Sequence, residues 1–305
     1  MNSQPDYAFG EAVAAYERIS EISALGVFDE RDYFLGESAL LAGTTARLSG
    51  RYDVADHWFD LADSSFRHTI NCAPLLVRVS HARLALRYDM RRYREVLVLL
   101  PNVAREYARL GMVSDLNKTK FLEALTHKEL GETDLAFATL LELRDAFEEE
   151  LNYRSLVLAH IAEEYGRRDD QEQAICAYHE ALEITKRTGD TMASIQLKAA
   201  IGEAYRSKGQ CVEAIGFLRA AAAEASEAGM RSRLAYLRII LAEALLSDGR
   251  SREAEWEVLA ALPIIEEQKM VAEGLAAVAV LRESVGRKRI DGSALADIRQ
   301  RLNAG

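Results

Sequence analysis

A small residue returns about every forty positions along almost the whole of this 305-residue chain. Ala15, Ala55, Val96, Ala136, Ala174, Ala214, Ala254 and Ala294 stand 40, 41, 40, 38, 40, 40 and 40 residues apart. A second series precedes it: Gly43, Leu84, Ala124, Ala162, Gly202, Ala242 and Arg282, of which five are Gly or Ala. So long and steady a period means stacked repeats, each a supersecondary unit that buries its apolar face only against its neighbours. The stretch from Asp170 to Asp190, DQEQAICAYHEALEITKRTGD, shows the unit. Ala174, Tyr178 and Ala181 fall at i, i+4 and i+7, so two small residues and one large one share a helix face, with Glu172, Glu180, Glu183, Lys186 and Arg187 elsewhere around it. Upstream, Ala162 and Tyr165 are joined to this helix by the polar Arg167-Arg168-Asp169-Asp170. The unit is a helical hairpin.

A small residue with a Tyr three later, then an Ala, an aromatic four later and a second Ala resembles the tetratricopeptide repeat (TPR). The spacing near 40, against 34 in the ordinary TPR, is similar to the long variety found in bacterial transcription regulators, peptide-sensing regulators and kinesin light chains. The resemblance covers nearly the whole chain and is strongest over 113–268. It departs at the first-helix Trp and the inter-repeat Pro, both absent. It implies an all-α, right-handed superhelical solenoid of stacked antiparallel helical hairpins with about 15 helices. One domain over 1–305 is expected, with an N-terminal capping helix in 1–25, repeats over 26–288 and a C-terminal capping helix in 289–305.

Periodicity and turn residues predict helices near 6–24, 30–48, 52–70, 73–89, 92–110, 113–130, 133–150, 152–168, 171–188, 191–208, 211–228, 231–248, 251–268, 270–286 and 291–303. Gly50, Gly131, Gly209 and Gly249 mark turns inside hairpins, and Gly111, Gly189 and Gly229 mark turns between them. Thr133, Asp170 and Ser251 are candidate N-caps. Pro74 suits a first helical turn, whereas Pro101 and Pro263 fall inside helices and should kink them.

The formal charge of −10 excludes a chain whose main business is coating nucleic acid or anionic membrane. Cys72, Cys176 and Cys211 form no ligand cluster and read as reduced packing residues. No signal-peptide pattern opens the chain and no window has the length of a membrane span, so a cytoplasmic protein is expected.

Motifs of chemistry are missing. There is no GxxxxGK[ST], HExxH or GxSxG, and the six histidines contain no i, i+4 pair. No catalytic residue, metal site or cofactor is expected. Trp58, Phe59, Tyr178, Phe217 and Trp256 on second helices read as core packing between hairpins. The segment 78–94 carries +5, from Arg78, Arg83, Arg87, Arg91, Arg92 and Arg94 against Asp89, and reads as solvated surface interrupted by a turn.

In TPR proteins the first helices of successive hairpins line a concave groove that binds a segment of a partner. The resemblance therefore implies a non-enzymatic, regulatory protein-interaction scaffold, with a ligand- or peptide-sensing solenoid as the alternative. A purely structural oligomer is a third reading. One residue after the small residue of the first helix stand Glu163, Glu203, Glu243 and Glu283, at a position where TPR proteins often carry Asn. A carboxylate ladder there is expected to select a partner with a basic segment, and Arg206, near Glu203, is placed to neutralise one rung. Around Arg47, Arg78, His81, Lys118 and Lys128 the N-terminal part of the groove is expected to be basic. A protein or peptide partner is expected, with no direct nucleic-acid or membrane contact.

Overall fold

The computed structural model describes residues 4–23 and 30–287, which form fourteen α-helices and, among the described residues, no strand. The helices are α1 (Gln4–Ser23), α2 (Arg31–Leu48), α3 (Tyr52–Phe66), α4 (Ala73–Asp89), α5 (Tyr93–Arg109), α6 (Val113–Glu129), α7 (Thr133–Ala146), α8 (Leu151–Arg167), α9 (Gln171–Thr188), α10 (Thr191–Ser207), α11 (Cys211–Glu227), α12 (Arg231–Ser247), α13 (Ser251–Gln268) and α14 (Val271–Arg287). The helix expected at 291–303 and the anchor Ala294 lie outside the described residues. The chain divides into two compact units, 1–147 and 148–305. In the first, α2 packs on α3, α4 on α5 and α6 on α7; in the second, α8 packs on α9, α10 on α11 and α12 on α13, and within each unit consecutive hairpins stack.

The small-residue series does occupy one structural position. Ala55, Val96, Ala136, Ala174, Ala214 and Ala254 are all essentially without exposed surface, as are Ala124, Ala162 and Ala242 on the preceding helices. Four residues after each anchor a large side chain is buried: Phe59, Leu100, Leu140, Tyr178, Leu218 and Val258. Close approach explains the glycines of the series on the preceding helices. A Cβ on Gly43 would stand 2.5 Å from the Phe59 ring and 3.2 Å from the Ala55 carbonyl oxygen, and one on Gly202 would stand 2.7 Å from Leu218 and 3.2 Å from the Ala214 carbonyl oxygen. The two sites repeat one geometry in different hairpins, with the anchor carbonyl facing a backbone that has no side chain.

The turns share one hydrogen-bond pattern. After α10, the Gly209 amide donates to Arg206 and the Gln210 amide reaches back to Tyr205 at 2.9 Å; the same five-residue reach joins Glu132 to His127 and Arg250 to Leu245. These bonds close the last carbonyls of each helix through a residue with positive φ, such as Gly209 at 77°. That pattern shifts two of the expected caps. Glu132 and Arg250 hold the N-cap positions, so Thr133 and Ser251 are first helical residues, whereas Asp170 caps α9 by accepting from the Gln173 amide at 3.2 Å. Two helices stop earlier than periodicity suggests. Helix α7 ends at Ala146 because Glu148, Glu149 and Glu150 would put three carboxylates at the negative end of its dipole. Helix α3 ends at Phe66, and the chain turns through Asn71 at φ 57°.

Candidate functional site: a carboxylate and tyrosine face on α8, α10 and α12

Because Ala162, Gly202 and Ala242 are pressed into their hairpins, the residue after each is turned about 100° around the helix, to the side of that contact. Glu163, Glu203 and Glu243 sit there, partly buried, and Glu283 sits exposed on α14. The three are linked electrostatically through two tyrosines. Burial first, and then the Glu163 and Glu203 carboxylates, push the Tyr178 phenol up. Burial likewise raises Tyr236, followed by Glu203, with Glu243 and Glu273 adding and Arg233 opposing. Glu203 is itself pushed above the usual carboxylate range by burial, with Glu243 adding and Arg206 opposing. The side chains of α8, α9, α10, α12 and α14 therefore converge on one acidic face within the second unit.

Exposed acids such as Glu213, Glu227 and Glu266 also stand without an ion pair; what distinguishes Glu203 and Glu243 is that they are partly buried without one, where the partly buried Glu224 and Glu257 meet Lys198 at 2.5 Å and Arg238 at 3.4 Å. Elsewhere in this unit, Glu172 meets Lys208 at 2.7 Å, Glu180 meets Arg154 at 2.8 Å, Glu253 meets Arg219 at 2.6 Å and Glu267 meets Arg231 at 2.5 Å. Among the described residues, Glu203 and Glu243 make no ion pair and no side-chain hydrogen bond. Arg206 lowers the Glu203 pKa from a distance but forms no ion pair with it, so that rung is eased rather than cancelled. Glu163 is 3.1 Å from His160 Nδ1. Its neighbour Glu164 points the other way, into the core, where Arg167 donates to it at 2.6 Å.

Two hollows open on this face. One, of about 450 Å³, lies between α8, α9 and α10, with Tyr153, Leu156, Ala159, Met192 and Leu197 among its walls and His160, Glu163, Tyr178 and Asp190 among its polar groups. The other, of about 470 Å³, is lined by Glu163, Arg167, Tyr178, Ala200, Glu203 and Ser207 among others. Glu163, Tyr178 and Ala200 border both, so the hollows adjoin.

The cations expected to make a basic surface are placed differently. Arg47 donates to Asp89 at 2.5 Å, and Arg78 donates to both oxygens of Glu37 at 2.6 and 3.2 Å. Lys118 lies 4.0 Å from Asp115, and Lys128, on α6, also has an interaction partner. His81 is hydrogen-bonded through Nδ1 to Thr119 at 2.9 Å, and burial pushes it down to about 4, so it is neutral at physiological pH. Acids on neighbouring helices offset much of this positive charge. Within 78–94, Arg83 meets Asp60 and Arg92 meets Glu95, which accords with a solvated, ion-paired surface.

One expectation about the aromatics needs correction. Trp256 is 62% exposed rather than packed in the core, with the Arg238 guanidinium of α12 5.6 Å from its ring centroid. Tyr178 packs in the core as expected, at 8% exposure, and also borders both hollows. The sequence carried that signal: the other residues at its repeat position are Ile, Phe, Leu and Val, and Tyr178 alone has a polar tip. Tyr236 and Glu273 were missed because they stand outside the anchor series. Among the described residues, no group of three or more His, Cys, Asp or Glu is placed to hold a metal ion, and no helix is long and apolar enough to cross a membrane.

No protein-family model matches the chain, and no curated protein matches it by sequence. Solved structures do. A Signal Transduction ATPase with Numerous Domains protein with a tetratricopeptide repeat sensor, from Pyrococcus horikoshii, superposes with a TM-score of 0.75 at 12% identity, over 93% of this chain and 42% of that one. The Cut9-Hcn1 assembly of the APC/C gives 0.64 at 15% identity, over 91% of this chain and 46% of that one. A Rap protein complexed with competence and sporulation factor gives 0.57 at 12%, over 89% and 81%. The chain spans less than half the length of the first two. The fold is thus that of a TPR-like helical solenoid, and TPR-containing proteins are its structural neighbours.

Proposed function

We propose that this chain is a non-enzymatic, regulatory interaction scaffold, and that the face carrying Glu163, Glu203 and Glu243 receives a basic segment of a protein or peptide partner. The observation that carries the reading is a contrast among the partly buried acids of the unit: Glu224 and Glu257 meet Lys198 and Arg238, while Glu203 and Glu243 meet no cation. A partly buried carboxylate without an ion pair is held at an electrostatic cost, seen in the raised Glu203 pKa, and an arriving cation relieves it. A face formed by packed helices also loses little conformational freedom on binding. The structural neighbours fit such a role: one is an assembly with a second protein, one carries its repeats as a sensor, and one holds a signalling factor. The three thiols, all unpaired, suit the cytoplasm.

The test is a titration of the partner at two ionic strengths against wild type and the double variant Glu203→Gln, Glu243→Gln. The variant is expected to bind several-fold more weakly and with a flatter salt dependence, at unchanged thermal stability. Equal affinity and equal salt slope would remove these carboxylates from recognition.

A further inference from the structure

The two adjoining hollows differ in chemistry, and that difference specifies more than a basic partner. The larger contribution to the walls of the first comes from apolar side chains, and two of them, Leu156 and Met192, remain 45% and 44% exposed at its edge. Exposed Leu and Met beside a concave apolar surface leave a hydrophobic gain unrealised in the free protein. Glu163, Tyr178 and Glu203 all line the second hollow, with the Tyr178 phenol within electrostatic reach of both carboxylates, and Arg167, which lines it too, is engaged by Glu164. Since Glu163, Tyr178 and Ala200 border both, an occupant of one lies beside an occupant of the other.

We infer that α8, α9 and α10 form a two-part receptor for an extended peptide segment in which a large apolar residue stands within two positions of a Lys or Arg. The apolar side chain enters between Leu156, Ala159 and Met192. The cation lies between Glu163 and Glu203, with the Tyr178 ring beneath its methylene stem. Charge complementarity excludes an acidic segment, and the apolar wall adds a requirement that a charge-only partner does not meet. In an extended chain, residues one or two apart are separated by only about 3.5 to 7 Å, so one short motif spans adjoining hollows. This rests on the reading of the acidic face as the partner-binding face.

The experiment is selection of a fully degenerate library of peptides of about twelve residues on the full-length chain. Recovered sequences are expected to pair Phe, Leu, Met or Trp with a nearby Lys or Arg. Ala159→Phe, which fills the first hollow, and Leu156→Ser, at a half-exposed site that endangers folding little, should each abolish the apolar preference and retain the basic one. For a recovered peptide they should weaken binding at least about tenfold, while its analogue with Ala at the apolar position binds wild type and both variants alike. Glu163→Gln with Glu203→Gln should do the converse. Basic peptides recovered without an apolar preference, or an apolar preference that survives both Ala159→Phe and Leu156→Ser, would overturn the two-part receptor and leave the acidic face standing. Peptides without a basic preference, or no recovered peptide at all, would overturn both. A dimer in light scattering that Ala159→Phe dissociates would make a second copy the occupant and overturn the inference as well.

Discussion

His81 illustrates how one residue's surroundings reverse what its type suggests. In the sequence it stands among arginines and reads as part of a basic surface; in the fold its ring packs between α4 and α6, edge-on to Tyr107 and bonded to Thr119. Burial outweighs the attraction of Asp115, with Lys118 and Arg47 also opposing protonation, and the pKa falls from 6.5 to about 4. Between these two values the unfolded chain takes up a proton that the folded chain refuses. Stability from this group is therefore complete above about pH 6.5 and is lost as pH falls toward 4, at up to about 1.4 kcal/mol per pH unit. Thermal melts of wild type at pH 7 and pH 5, compared with His81→Asn, should show a smaller acid-induced loss in the variant. The same loss in both would mean that His81 titrates normally. At this scale the sequence withheld the answer because burial and the Thr119 partner, 38 positions away, are products of stacking.

Among helices, the repeat period carried nearly all of the architecture. Ala136, Ala174, Ala214 and Ala254 share a position within their hairpins because a bulky side chain there would separate the helices, Val96 being the largest that the buried series carries, and that constraint is local enough to be visible as a spacing. Gly43 and Gly202 follow from the same contact. The ends of α7 and the caps of α13 were less legible: they depend on turn closure by a positive-φ residue and on charge at a dipole, which compete with the apolar pattern. Ala174→Leu or Ala214→Leu should cost on the order of 1 to 3 kcal/mol, read as a lower melting temperature, because the packed interface cannot take the added carbons without strain. Unchanged stability in both variants would show that these alanines are not at a close contact. The carboxylate series was equally visible as a spacing, whereas the hollow beside it was not, since its walls come from three helices and include Leu156 and Met192, which have no counterpart in the anchor pattern.

For the molecule as a whole, the net charge of −10 says little by itself; what selects a partner is which acids already have cations. Arg47, Arg78 and Arg83 are engaged by Asp89, Glu37 and Asp60 within the first unit, and Arg154, Lys208, Arg219 and Arg231 by glutamates within the second. The partly buried Glu203 and Glu243 on α10 and α12, which meet no cation, are charge that a partner can still neutralise, and their field extends only about 10 Å in ordinary salt, so recognition there is by contact. The most direct measurement is amide hydrogen exchange on the full-length chain with and without a partner obtained by affinity capture. The account predicts slowed exchange concentrated in α8, α10 and α12, and weaker slowing when the same partner meets the Glu203→Gln, Glu243→Gln protein. Protection confined to α1 through α7, with α8, α10 and α12 unchanged, would contradict it.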